Sequence, residues 1–314
     1  MAKRKHLFGP VASRRLGRSL GVDPIPPKTC TFDCIYCEVG RTTHHTIARA
    51  DYVPPEDILA EIEEFFASGG QADYVTFSGS GEPTLSRAIG ALIRECKRRF
   101  RVPVAVITNG SLLADPAVRE DLAEADLVIP SLDSAREETF RAVNRPLPGI
   151  TVDTVIEGLV EFTKAFKGRV WLEVLLVDGV NDSPADIEAL AEAVARIRPE
   201  RVQLNTVIRP PAESFARPVS RKALESAAER LSKACPTEVI APASVRVARK
   251  PGVAPKALVL ETLARRPCTL EDLAAGLSIP VARTKEVLDA LVGEGKIREV
   301  RFGSAVFYEP ANRS

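Results

Sequence analysis

Along the first 240 residues the apolar positions switch repeatedly between short continuous or alternating runs and faces spaced by three and four. The short runs, rich in β-branched residues, read as strands near Ser19–Val22 and at Tyr74–Phe77, Val104–Thr108, Leu127–Ser131, Val170–Val177 and Val202–Val207. Between them the spacing is helical. Pro54-Pro55-Glu56-Asp57 starts a helix with Ile58, Leu59, Ile62, Phe65 and Phe66 on its apolar side. Ile89–Arg99, Ala117–Ala125, Val152–Phe166, Ile187–Ile197 and Lys222–Ala234 repeat that pattern. Strands alternating with helices predict a parallel sheet joined by right-handed crossovers. About six such units in roughly 240 residues suit a barrel or a doubly wound sheet, and the pattern does not separate the two. Residues 7–28, punctuated by glycine and proline, read as a loop leading into the first strand.

From Ala241 to Pro255 the chain turns Ala/Pro-rich and reads as a linker. Beyond it, Lys256–Ala264 is helical, and Thr269-Leu270-Glu271-Asp272 opens a second short helix with a capping-box pattern, ended by Gly276. Ser278 caps a third, with Pro280 in its first turn and Val281, Val287, Leu288, Leu291 and Val292 apolar. Two strands follow, Ile297–Phe302 and Ala305–Tyr308, joined by Gly303-Ser304. Three helices and a hairpin resemble a winged-helix domain. The expected division is therefore 1–240, a linker at 241–255, and 256–314. A winged helix reads DNA with its third helix and wing, whose candidates are Arg283, Lys285, Arg298 and Arg301. Yet residues 256–314 hold nine Lys/Arg against eight Asp/Glu, which does not make a generally basic surface. Such modules also dock proteins and peptides.

Charge leaves the partner open. The 314 residues carry 43 Lys+Arg and 42 Asp+Glu, a net +1, so no global attraction to nucleic acid or membrane is implied. No apolar run reaches the ~20 residues that span a bilayer. The basic N-terminus is not followed by an apolar signal segment, so a cytoplasmic location without membrane association is expected.

Three of the six cysteines, Cys30, Cys34 and Cys37, fall within eight residues at Cys-x3-Cys-x2-Cys spacing. Thiolates are soft ligands, and this spacing lets one loop wrap a single metal centre. A disulfide framework does not suit so long a chain with so few cysteines. A zinc site, completed by His44 and His45, is the other metal reading, although structural zinc sites carry their ligands in pairs and no second pair appears. Cys96, Cys235 and Cys268 are widely separated and read as ordinary buried residues.

The spacing, with Tyr36 just before the last cysteine, resembles the signature of the radical S-adenosylmethionine (SAM) superfamily. The resemblance implies a partial six-stranded (β/α) barrel and a 4Fe–4S cluster held by Cys30, Cys34 and Cys37. One iron would be left open for SAM, and an external one-electron donor is needed to cleave SAM to methionine and a 5′-deoxyadenosyl radical. Upstream, Phe8-Gly9-Pro10-Val11 and Ser13-Arg14-Arg15-Leu16-Gly17 look like a subgroup related to wyosine-synthesis tRNA enzymes. Archaeal-type wyosine synthases carry a second cluster, whereas only the three motif cysteines lie in the first ninety residues here. Transfer of that particular reaction is therefore not expected.

Functional groups in such folds gather at the C-terminal ends of strands. The strand at 74–77 ends in Ser78-Gly79-Ser80-Gly81-Glu82-Pro83, similar to the superfamily's Gly-Gly-Glu-Pro motif that contacts the cofactor's amino group. Ser80 replaces the motif's first glycine, so the carry-over covers Gly81, Glu82 and Pro83. Asn109, Ser131 and Asp133 at the next two strand ends are candidates for cofactor or substrate, and Asn and Asp are also common turn formers. Glu173, Asn205 and Arg209 have the same status. These observations imply a radical SAM enzyme that modifies a substrate, with tRNA preferred. A protein or peptide docked by the winged helix is the alternative substrate. A redox-sensing, DNA-binding iron–sulfur regulator is the reading from another class.

Overall fold

A computed structural model describes residues 5–13, 15–240, 256–277 and 279–313. The first elements are β1 (Leu7–Ser13), β2 (Gly17–Val22) and the two-residue strands β3 (Thr29–Cys30) and β4 (His44–His45). Then come α1 (Pro55–Ala67), β5 (Tyr74–Phe77), α2 (Ile89–Phe100), β6 (Val104–Thr108), α3 (Pro116–Leu122) and β7 (Leu127–Pro130). The series continues with α4 (Glu137–Asn144), α5 (Val152–Ala165), β8 (Arg169–Leu176), α6 (Pro184–Ile197), β9 (Arg201–Thr206), α7 (Arg221–Ser232) and β10 (Thr237–Val239). Residues 256–313 add α8 (Lys256–Leu263), α9 (Leu270–Leu277), α10 (Val281–Gly293) and the hairpin β11 (Ile297–Phe302) and β12 (Ala305–Pro310).

The central sheet has eight strands in the order β1-β2-β5-β6-β7-β8-β9-β10. All neighbours are parallel except β1, which runs antiparallel to β2. From β2 onward the order is strictly sequential. Right-handed crossovers in sequential order put every helix on one face, whereas a doubly wound sheet needs the order to reverse. Burial agrees with this. Val75, Phe77, Val104, Val106, Val128, Leu172, Val174, Val202 and Leu204 share one core with Ile58, Ile62, Ile89, Leu92, Leu159, Leu190 and Leu231 of the helices. The alternate positions Ala105, Leu127, Ile129 and Trp171 form a separate inner cluster with Leu16. The doubly wound possibility is thereby removed.

The six strands legible in the sequence form the consecutive middle of this sheet, and two edge strands are added to them. The sequence predicts a loop where β1 runs. Its Gly9 and Pro10 lie where the β1–β2 register shifts, between Phe8 and Val11. An edge strand tolerates proline because its outward N–H has no ladder partner to lose. Phe8 covers Gly21 so closely that an added Cβ there would stand 2.1 Å from the ring. At the other edge β10 is three residues long, too short to show a period.

Residues 256–313 carry their own core: Val259, Leu263, Leu273, Leu277, Leu288, Leu291 and Ile297 pack together with Cys268 and Tyr308. The sequence-predicted linker, Ser278 and Arg14 lie outside the described residues. No described helix is long and apolar enough to cross a membrane.

Candidate active site

The loop from Cys30 to Cys37 begins where β3 ends and is pinned from three sides. The amides of Asp33 and Ile35 donate to the carbonyls of Asn144 and Val143, at 3.1 and 3.0 Å. Those carbonyls belong to the last turn of α4, which has no intrahelical donors left for them. The Thr42 amide donates to Asp33 (2.7 Å) and the Thr42 hydroxyl to the Phe32 carbonyl (2.7 Å). His45 Nε2 donates to the Thr31 carbonyl at 2.8 Å. Helix α4 was missed in the sequence because eight residues with only Phe140 and Val143 as large apolar side chains show too little periodicity.

The turn after β5 abuts the strand that delivers Cys30. The Glu82 amide donates to the Thr29 carbonyl (3.0 Å) and the Lys28 amide to the Ser80 carbonyl (2.5 Å). Nothing larger than glycine fits at Gly81, where a Cβ would lie 2.1 Å from that same Thr29 oxygen. The Glu82 side chain points inward and is buried. Its Oε1 accepts from Thr84 N (3.0 Å), Thr84 Oγ1 (2.5 Å) and Thr108 Oγ1 (2.7 Å), and its Oε2 from Asn109 N (2.7 Å). Burial nevertheless pushes this carboxyl above its ordinary range. Glu82 thus ties the ends of β5 and β6 together, and what the motif leaves accessible is backbone. Pro83 is buried and starts a single 3-10 turn.

Asn109 meets the cysteine loop directly. Its Nδ2 donates to Thr31 Oγ1 (2.7 Å) and stands 3.5 Å from Cys30 Sγ, while its Oδ1 accepts from Ser111 N at 3.0 Å. Asp133 reaches the same loop from the other side. Its Oδ2 accepts from the Tyr36 hydroxyl and from Asn144 Nδ2 (2.7 Å), and its Oδ1 from Leu175 N (2.9 Å). Burial raises the Asp133 carboxyl to about 6 even with these donors. Asn144 Nδ2 also lies 3.4 Å from Cys34 Sγ. Asp133 therefore braces Tyr36 and Asn144 rather than standing free at a strand end. Ser131 bridges to Glu173 on the inner face. There Glu173 Oε1 accepts from Arg15 Nη1 (2.9 Å) and Asn205 Nδ2 (2.6 Å), and Arg15 also donates to Gln203 (3.2 Å). Arg209 departs from the inner face and pairs with Asp272 (2.6 Å) and Glu38 (3.4 Å).

Sequence reasoning missed Asp23, Asn144 and Gln203. Only Asp23 had a usable signal, since it directly follows a strand end.

Three soft thiols on one loop suit an iron–sulfur cluster. Among the described residues no three His, Cys, Asp or Glu side chains gather closely enough to hold one metal ion. His45 is committed to Thr31, and His44 packs edge-on to Tyr52. All three cysteines are free, and each residue is partly buried. Burial pushes each of them up, Cys30 to about 12, and the charges of Cys30 and Cys37 raise Cys34 further. A bound cationic centre would oppose this by replacing the protons on the sulfurs. Amide donors at Cys30 and Cys34 match the hydrogen bonds that cluster sulfurs receive.

The sequence profile described as the radical SAM superfamily matches residues 25–194, more than half of the chain. The chain belongs to the radical SAM superfamily. Its superfamily is one of iron–sulfur enzymes that bind a 4Fe–4S cluster and SAM, and this sets aside the regulator without chemistry. It is 40% identical over 213 residues to a UPF0026 protein of Methanocaldococcus jannaschii, covering 67% of this chain and 66% of that one. It is 39% identical over 300 residues to a Brachyspira hyodysenteriae protein named GTPase Obg, covering 95% of this chain and 44% of that one. This chain thus spans less than two thirds of either relative. More distant relatives are an S-adenosylmethionine-dependent nucleotide dehydratase of Lacinutrix mariniflava (27% identical; 50% of this chain, 39% of that one) and a GTP 3′,8-cyclase of Thermodesulfovibrio yellowstonii (32%; 51% and 48%). A third is ribosomal RNA large subunit methyltransferase N of Nitrosopumilus maritimus (28%; 62% and 56%). Among solved structures, a radical SAM methyltransferase from Sphaerobacter thermophilus shares the fold with a TM-score of 0.53 at 20% identity, covering 70% of this chain and 65% of that one.

Proposed function

We propose that Cys30, Cys34 and Cys37 hold the 4Fe–4S cluster and that the 79–83 turn, with Asn109, receives SAM beside it. The observation that carries this reading is the direct hydrogen bond between the two loops, Glu82 N to the Thr29 carbonyl, next to the first cysteine. When bound and reduced by an external one-electron donor, the cluster–SAM pair supplies a 5′-deoxyadenosyl radical that removes a hydrogen atom from a substrate carbon. The chain's own part is positional. Glu82 holds the β5 and β6 ends in register, and Asp133, Tyr36 and Asn144 brace the cysteine loop. Gly81 lets backbone approach where a side chain would block it. The one-sided placement of helices and the polar inner face support the expected partial barrel, with the substrate above Ser131, Glu173, Gln203 and Asn205.

For the substrate we infer a nucleobase, carried in RNA and tested first as tRNA. Three relatives bear names that specify a nucleotide, GTP or ribosomal RNA. Glu173, Gln203 and Asn205 make the inner face polar, and in this structure they are bonded to Arg15, to one another and, for Gln203, to Glu238 (2.7 Å), bonds that a base edge would have to replace. The resemblance of residues 8–17 to wyosine-synthesis enzymes belongs to the same reading, as does a cytoplasmic setting, whose reducing conditions suit thiolate ligands. Residues 256–313 support a winged-helix reading in their three helices and hairpin. Of the four expected base readers, Arg283 pairs with Glu286, Lys285 with Asp289 (2.9 Å) and Arg298 with Glu309 (2.8 Å), while Arg301 is exposed and has no ion pair among the described residues.

The test is 5′-deoxyadenosine formation by reduced holoenzyme with tRNA, free nucleotides or a peptide pool. Stimulation by RNA alone is the expected result. Stimulation by peptides alone would overturn the nucleobase reading.

A further inference from the structure

We propose that Arg265, in the segment after α8, is a positioning residue for the SAM-binding turn, acting through Asp23. The inference rests on the assignment of residues 79–83 to SAM. Asp23 follows β2 and is almost fully buried. Its two carboxylate oxygens face opposite ways: Oδ1 accepts from Ser80 N (2.8 Å), and Oδ2 accepts from Arg265 Nε (2.8 Å), from a residue 242 positions later. Arg265 is itself only 14% exposed and Asp23 6%. The guanidinium is held on two further sides, by the Glu261 carbonyl (3.0 Å) and by the Phe8 ring, whose centroid is 4.6 Å away.

Asp23 also shapes the turn sterically. Gly79 has φ +124°, and a Cβ added there would lie 1.6 Å from Asp23 Oδ1. The turn is therefore moulded around this carboxylate, and among the described residues Ser80 N is the one turn amide bonded to it. A buried carboxylate with one amide donor is not stable as an anion, and the missing charge comes from Arg265. Removing Arg265 leaves Asp23 to take up a proton or swing toward water, and either change frees Ser80 N and loosens residues 79–81.

The same C-terminal unit reaches the other loop as well. Arg313 Nη2 donates to the carbonyls of Glu38 (2.9 Å), next to Cys37, and Pro210 (3.1 Å). Phe302 at the hairpin packs against the buried cluster of Ile35, Val143 and Val207. Residues 256–313 thus brace both loops of the site, which a module tethered for recognition alone would not do.

The experiment measures the dissociation constant for SAM by anaerobic equilibrium dialysis on cluster-loaded, full-length protein. It compares wild type, Arg265→Ala, Arg265→Lys, Asp23→Asn and the Asp23→Asn/Arg265→Ala pair. Asp23→Asn keeps an oxygen acceptor for Ser80 N and removes the charge that needs Arg265. The expected result is a Kd raised about tenfold in Arg265→Ala and less in Arg265→Lys, with little further change when Arg265→Ala is added to Asp23→Asn. An unchanged Kd in Arg265→Ala with full iron content overturns the proposal alone, and so does an equal rise in both backgrounds. A loaded wild type that binds no SAM overturns the cofactor assignment, and this proposal with it.

Discussion

Gly81→Ala adds one methyl group at the point where the two loops of the site meet. Its Cβ would stand 2.1 Å from the Thr29 carbonyl oxygen and 2.8 Å from Ile25 Cδ1. Ordinary contact begins near 3.4 Å, so the first approach is more than 1 Å short. The obstructing atom is backbone and cannot rotate aside, so β3 and the turn must separate. Overpacking of this kind costs about 1–3 kcal/mol. Separation also breaks the 3.0 Å bond from Glu82 N to Thr29 O, a loss of about 1 kcal/mol. The sum is about 2–4 kcal/mol. At about 2–4 °C per kcal/mol for a unit of this size, the main thermal transition falls by at least about 4 °C. Because Cys30 ends β3, iron retained after anaerobic reconstitution should fall as well. Gly276→Ala is the control: it sits in α9 with nothing within 4 Å of the added Cβ, and should leave iron content unchanged while stabilising the helix by roughly 0.5–1 kcal/mol. A Gly81→Ala protein that melts within 2 °C of wild type (~2 °C being the scale of a 1 kcal/mol effect) and binds full iron would refute this reasoning.

Asn144→Ala removes the amide beside Cys34 Sγ, and anaerobic redox titration should show a more negative cluster potential, since a hydrogen bond that stabilises the reduced sulfurs is lost. Arg209→Met breaks the links to Asp272 and Glu38, and hydrogen exchange should rise in α9 ahead of the main sheet; unchanged exchange there would contradict the assigned brace. Asp186 gives a pH signature. Burial raises its carboxyl, but hydrogen bonds from Ser183, Thr139 and Arg136 outweigh it and hold the group below the ordinary range. A depressed folded-state value adds stability above the unfolded value, and that stability is lost as pH falls through the folded value. The denaturation midpoint of Asp186→Asn should therefore lie below wild type at pH 7 and approach it in acid.

Much of this architecture could be read before any coordinates, for a physical reason. Strands buried on one face by helices and on the other by Leu16, Ile129 and Trp171 must be apolar runs, and such runs stand out. Elements stabilised from outside themselves did not stand out. β1 owes its pairing to β2, and α4 is held by the cysteine loop bonded to its last turn. In the site, the cysteines and the 79–83 turn were legible because their chemistry is local in sequence. Asp133 and Glu82 were found by position, but their work as internal braces depends on partners such as Tyr36, Asn144 and Thr108 that spacing does not reveal. Asp23–Arg265 spans 242 positions and has no sequence signal beyond a carboxylate at a strand end.

The central claim is that Cys30, Cys34 and Cys37 hold a cluster at which SAM is cleaved. The most direct measurement reconstitutes wild type and Cys34→Ala anaerobically, reduces both with SAM present, and quantifies 5′-deoxyadenosine against iron content. The account predicts formation in wild type and its loss in Cys34→Ala. A wild type carrying four irons per chain, as a 4Fe–4S cluster requires, fully reducible and yet forming no 5′-deoxyadenosine would contradict it.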